Sequence, residues 1–140
     1  MSTRADKLTP LNNVQELFSD IPINLDISPV TGNLSRLLNE EAIKQSIRNL
    51  ILTAPGERLF DSNIGSGIYK LLFEPLDELT SFALHTEITN TIKNYEPRAN
   101  LLNLYVNPSE ADQTYYVNIL FSIINSQRTA QLDISLSKVR

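Results

Sequence analysis

The chain has 140 residues, a net charge of −4 and no cysteine, which fits one domain with a real core and excludes both a disulfide framework and a thiolate metal site. Its 12 Lys and Arg residues never form a run, which argues against a nucleic-acid surface, and a single His, His85, is too few for an imidazole zinc site. No apolar stretch reaches the ~18 residues of a membrane span and the opening MSTRADKLTP lacks the apolar segment of a signal peptide, so the expectation is a protein made in a cytoplasm, with no metal and no cofactor.

Residues 1–13 are polar, contain Pro10 and show no periodicity, and read as a flexible N-terminal arm; 14–140 read as a single domain. From 14 to 38 isolated apolar residues are interrupted by Pro22, Pro29 and Gly32. Within that stretch Ile23, Leu25 and Ile27 alternate with Asn24 and Asp26, the pattern of a short edge strand. A helix is predicted from Asn39, expected to cap it with Glu40 and Glu41 in the first turn. Ile43, Ile47, Leu50 and Ile51 form its apolar stripe, and Pro55-Gly56 ends it. A loop follows to Gly67, with Gly65 and Gly67 flanking Ser66, and then a short helical piece from Ile68 to Phe73. A second long helix is predicted from Asp77, a plausible N-cap, to Asn94. Its stripe is Leu84, Ile88 and Ile92, extended by Phe82 and Tyr95, and Pro97 stops it.

The remainder alternates with period two. Leu102, Leu104 and Val106 mark one strand, Tyr115 to Ile123 a second, and Leu132, Ile134 and Leu136 a third, with turn-rich segments between them. The fold class is therefore α+β, with two main helices packed on a C-terminal three-stranded antiparallel sheet and an irregular N-terminal arm. The last strand is expected to be an open edge, because no later segment of the chain can cover it. Gln131, Asp133 and Ser135 lie on its polar face.

Tyr95-Glu96-Pro97-Arg98 sits at the junction of helix and sheet. A Glu and an Arg on either side of a Pro read as splayed from a rigid corner, offering a partner one anion and one bidentate cation. The plainer alternative is that Pro97 only stops the helix while Arg98 satisfies its last carbonyls.

Glu96-Pro97-Arg98, preceded by Asn94-Tyr95, resembles the motif that closes the long helix in baseplate wedge proteins of contractile tails, the GPW and gene-twenty-five-like family, which includes the TssE subunit of type VI secretion. Gly56-Glu57-Arg58-Leu59-Phe60-Asp61 with Ile64-Gly65 resembles that family's Gly-x-Arg-x-Phe-x-Pro-x-Phe-Gly loop, although Ser62 replaces the Pro and Ile64 an aromatic. The resemblance spans about 34–138. It implies a structural virion protein of the tail baseplate, six copies around the tail tube, assembled in the host bacterial cytoplasm. The corner Tyr95, Glu96, Pro97 and Arg98 would dock on a helical core bundle of other wedge proteins, near the tail tube or hub. Gly56, Arg58, Phe60 and Gly65 would shape the structural loop. The C-terminal sheet would accept strands from the tail sheath protein, making the chain a tail sheath initiator.

Some members of the family have been described as lysozyme-like, so glycoside hydrolysis is the main alternative. It needs two carboxylates flanking a sugar cleft, one of them held protonated by an apolar pocket. Glu57, Glu74, Glu87 and Glu96 qualify by residue type only, and a cation close to Glu96 would keep it ionised. His85 has Ser81 four residues away but no third group. Tyr115-Tyr116 could suggest a carbohydrate platform, yet tyrosines in alternating strands more often pack across strands or lie at interfaces. Gly65-Ser66-Gly67 lacks the Lys-Ser/Thr of a phosphate loop. The expectation is a protein that is not an enzyme, from a phage tail or from the equivalent subunit of a secretion system or tailocin.

Overall fold

The computed structural model describes residues 16–125 and 128–138; the arm expected at 1–13 lies outside them. In chain order the elements are β1 (Ser19–Asp20), β2 (Leu37–Leu38), α1 (Glu40–Leu52), α2 (Ile68–Leu71), α3 (Glu78–Tyr95), β3 (Ala99–Ser109), β4 (Thr114–Ile123) and β5 (Thr129–Ser137). β3, β4 and β5 form an antiparallel meander in that order, and β1 pairs with β2 in a separate two-stranded ribbon. This is the α+β arrangement expected from the sequence.

The helices bury the stripes that their spacing marks out: Ile43, Ile47, Leu50 and Ile51 on α1, and Leu84, Ile88 and Ile92 on α3. The sheet buries alternate residues on the facing side, Tyr115, Val117, Ile119 and Phe121 on β4 and Ala130, Leu132, Ile134 and Leu136 on β5. One apolar core joins the two layers. Tyr115, fully buried, donates its hydroxyl to the carbonyl of Pro75 at 3.1 Å, which satisfies the one polar group that this large core side chain brings in. Asp77 caps α3 as expected, accepting from the Thr80 N–H at 2.7 Å.

Four local readings are corrected. Ile23, Leu25 and Ile27 form no strand. Leu25 has a positive φ of 53° and its N–H turns back to the Pro22 carbonyl, so the alternation folds on itself, and only Ile27 makes an isolated bridge, to Leu34. Asn39 makes no side-chain cap; its Oδ1 accepts from the N–H groups of Leu17 and Phe18 instead, while its own N–H donates to the Phe18 carbonyl. It sits at φ 45°, a region that Asn tolerates better than most residues, and it ties the N-terminal segment to the start of α1. Phe82 is not part of the buried stripe of α3 and lies exposed, because two residues from Leu84 is about 200° of helix rotation. On β3 the register slips between Leu101 and Asn103. The bulge sends Leu101 and Leu104 inward and leaves Leu102 half exposed, so Leu102 is the additional residue rather than a core one.

Candidate functional site

The corner at the end of α3 is built around a carboxylate. Glu96 leaves the helix at φ −125° and ψ 74° ahead of Pro97, and its side chain turns into the protein, only 2 % exposed. Arg98 returns across the proline and grips it twice: Nε donates to Oε1 at 2.6 Å and a terminal guanidinium nitrogen to Oε2 at 2.7 Å. The splayed arrangement expected from the sequence is therefore corrected. With Glu96 aimed inward, its nearest cation is Arg98 itself, and the two charges satisfy one another in the fork geometry that favours Arg with carboxylate. Burial pushes the Glu96 carboxyl up, but hydrogen bonds from Arg98 and Ser46 outweigh it and hold the group below the usual carboxylate range. The bond to Glu96 raises Arg98 against the opposing effect of burial, and Asp20 adds further attraction. The Phe18 ring lies under the guanidinium, 5.5 Å from its carbon to the ring centroid, within cation–π range. Arg98 keeps 35 % of its side chain exposed, and of the pair it is the one a partner can reach.

Tyr95 connects this corner to the preceding loop, donating its hydroxyl to the Asn63 carbonyl at 2.7 Å. The loop itself is closed by main-chain bonds. Gly56 N–H reaches the Ser62 carbonyl, and Ser66 N–H and hydroxyl reach the Thr53 and Ile51 carbonyls. Ser66 thus satisfies two of the carbonyls that α1 leaves open at its C-terminus. Gly65, at φ 142°, passes so close to α1 that a Cβ there would sit 2.6 Å from the Thr53 oxygen, and Gly56 supplies a second positive φ of 91°. Glu57 folds back onto the Ala54 N–H, and Glu87 of α3 accepts from the Gly67 N–H at 2.7 Å. The tip of this closed loop carries Leu59 at 95 % and Phe60 at 102 % exposure, with Arg58 exposed beside them. Phe60 packs against none of the core.

Sequence reasoning singled out Gly56, Arg58, Phe60 and Gly65 here, named Glu87 only as a hydrolase carboxylate and Ser66 only as part of the turn, and missed the parts played by Ser46 and Phe18. The run Gly65-Ser66-Gly67 was a signal for close backbone approach, but it reads from sequence only as a turn in the loop and as a run that fails to make a phosphate loop. No sequence signal links Phe18 to Arg98, because that contact is made across the fold.

The third candidate region is β5. Its burial alternates without a break, with Gln131, Asp133 and Ser135 on the outer face. Asp133 accepts from Asn118 on the neighbouring strand and from Gln131. The register also fixes where the backbone points. Ile123 N–H donates to the Arg128 carbonyl and Lys138 N–H to the Gln113 carbonyl, and the β4–β5 register is unbroken. Even-numbered β5 residues therefore make the ladder bonds to β4, while Gln131, Asp133 and Ser135 direct their N–H and C=O groups to the other side. Among the described residues no strand lies there. The opposite edge, β3, differs in carrying a bulge and Pro108, two devices that discourage strand pairing; β5 has neither.

The class defined by this fold is an α+β domain of two helices layered on an antiparallel meander with an open last strand. Residues 38–129 match the family described as baseplate wedge protein gp25. The chain is 34 % identical over 114 residues, 81 % of its length and 86 % of the relative's, to the baseplate wedge protein gp25 of Enterobacteria phage T4. Among solved structures it is similar to one from Geobacter sulfurreducens whose description proposes a tail lysozyme, with 26 % identity, a TM-score of 0.69 and coverage of 76 % of this chain and 98 % of that one. It also shares its fold with a chain of the anti-feeding prophage baseplate, at 24 % identity, TM-score 0.59 and coverage of 88 % and 87 %. The protein belongs to the gp25 family of baseplate wedge proteins.

Proposed function

We propose that this wedge protein is a non-enzymatic connector in the baseplate of a contractile phage tail. It docks through the Arg98 corner and the Leu59-Phe60 loop tip on a helical bundle of other wedge proteins, and it starts sheath polymerisation by accepting a strand from the sheath protein along β5. Residues 14–140 act as one domain in this role, several copies per baseplate, assembled in the host cytoplasm. The observation that carries the reading is the β5 edge, where consecutive odd-numbered residues aim unpaired backbone groups away from the sheet. Such a row is a template for strand addition, each bond contributing about 0.5–1.5 kcal/mol net. The relative from phage T4 favours a phage particle over a secretion machine as the owner.

Against hydrolysis stands the use made of the carboxylates. Glu57, Glu87 and Glu96 are each engaged by a backbone N–H or by Arg98, and Glu96 is held ionised, the wrong state for a general acid.

The test is Asp133→Pro in assembled baseplates. The substitution removes an outward N–H and spares the ladder to β4, so the strand stays folded by circular dichroism while sheath no longer grows on the baseplate in electron micrographs. Asp133→Thr, which suits a strand, supports normal growth. Sheath polymerising on a folded Asp133→Pro baseplate overturns the strand-addition reading. Peptidoglycan clearance by the purified protein that is lost in Glu57→Gln or Glu96→Gln would overturn the non-enzymatic one.

A further inference from the structure

A cleft of about 330 Å³ opens between β5, the N-terminal segment and α1. Leu132 of β5, Pro22, Ile23 and Leu37 give it apolar lining, and the rest of its walls are polar, with Asp26 from the N-terminal segment and Glu41, Lys44 and Arg48 from α1. We propose that this cleft is the socket for one uncharged apolar side chain of the strand that adds to β5, the side chain lying beside Leu132, and that it sets the register of that strand. The inference rests on the strand-addition reading above and deepens it from a backbone template to a sequence-selective one.

The occupant follows from what surrounds the cleft. The β5 edge beside it offers N–H and C=O groups at the repeat of an extended chain, and only an extended polypeptide backbone meets that repeat. A strand laid there places every second side chain on the inner face, in line with Ala130, Leu132, Ile134 and Leu136, which are all buried. Of these, Leu132 alone lines the cleft, so one inward side chain has a socket.

Charge selects its type. Lys44, also on the wall, is neutralised by Glu40 at 2.6 Å and Glu41 at 3.2 Å, and the remaining Asp26 and Arg48 are of opposite sign. The four charged residues of the walls cancel, Asp26 and Glu41 against Lys44 and Arg48, so no net charge attracts an ionised side chain, and one entering would lose part of its hydration.

Register follows from the period of two. Because successive side chains point to opposite faces, a slip of one residue turns the anchoring side chain out to solvent and brings an outer one in. Backbone bonds alone cannot reject that slip, since each peptide unit offers the same donor and acceptor. A single filled socket can.

The experiment uses the full chain and the purified sheath subunit of the same particle, with binding read by interferometry. Ile23 is 63 % exposed, so Ile23→Trp fills the cleft from its rim without disturbing the core. We expect it to weaken sheath-subunit binding about tenfold or more, the scale of one buried apolar side chain, and Asp133→Pro to abolish binding. Matching circular dichroism spectra keep unfolding out of the comparison, and Val30→Trp, which adds the same bulk at a 90 % exposed position outside the cleft lining, binds as wild type. If Asp133→Pro abolishes binding and Ile23→Trp leaves it unchanged or tighter, the socket is wrong and strand addition stands. If neither variant changes binding, strand addition itself fails. If Ile23→Trp alone weakens it, the cleft takes something other than an added strand and the inference is overturned.

Discussion

Glu96 and Arg98, two residues apart across Pro97, form an ion pair of two hydrogen bonds in which the carboxylate is buried and the guanidinium faces outward. The pair is asymmetric, and so are the consequences of removing each half. Arg98→Ala leaves a buried carboxylate with Ser46 as its remaining side-chain partner. Losing one half of a fully buried pair costs about 3–5 kcal/mol, and the partial exposure of Arg98 brings the expected loss to about 1–3 kcal/mol. The double variant Glu96→Gln/Arg98→Ala, which removes the charge as well, regains part of it. Urea denaturation of the isolated protein measures both. A single variant as stable as wild type would show that Arg98 serves only at an interface.

The same pair makes stability depend on pH in one direction. The folded-state pKa of Glu96 lies below its ordinary value of 4.5. The ionised form is thus favoured by folding, and the stabilisation is present in full above about pH 4.5 and fades as pH falls through the lowered folded value. Melting temperatures followed downward from neutrality should drop more steeply in wild type than in Glu96→Gln across that acid range. Parallel curves would mean that Glu96 contributes nothing to acid sensitivity.

Gly65→Ala tests the loop closure. The new methyl meets backbone atoms of Thr53, Ala54 and Pro55 at 2.6–3.0 Å, at a φ that L-residues rarely adopt. Backbone strain of this kind costs about 1–3 kcal/mol, and the clash puts this site at the upper end. Gly56→Ala, which has open space around its Cβ, costs less. Equal melting temperatures for the two would show that the loop can shift away from α1.

At the tip of that loop the expectation reverses. Leu59→Ser and Phe60→Ser remove side chains that touch no core, so melting should move little, while wedge assembly with partner proteins weakens, since exposed aromatic anchors carry a large share of binding energy at interfaces. Co-assembly of wedges followed by size exclusion provides the measurement. Normal assembly of the double variant would exclude the tip as a docking element.

The two long helices and the meander were legible in the sequence because their burial is periodic and one-sided; α1, α3 and β5 lie close to where spacing alone puts them. What escaped was decided by contacts between distant residues. Asn39 reads as a helix cap in any local window, yet Leu17 and Phe18 compete for its side chain and win. Ile23, Leu25 and Ile27 have the period of a strand, but the turn at Leu25 breaks it and only Ile27 finds a partner, in an isolated bridge to Leu34. Phe82 fits a helical stripe on paper and misses it by half a turn. At the Glu-Pro-Arg corner the residue types were right and their relationship was not, because proline rigidity says nothing about which way a carboxylate turns once a cation can reach it.

Under the strand-addition proposal, the difference between the two sheet edges sets a valence. With β3 carrying a bulge and Pro108, and β5 neither, each copy would offer one acceptor strand and not two. If copies of this chain stand in a ring, as proposed for the baseplate, that ring would seed one ring of incoming chains with the same count and rotational spacing as its own. On that reading the symmetry of whatever grows on it would be inherited from the ring beneath, without any component that measures number.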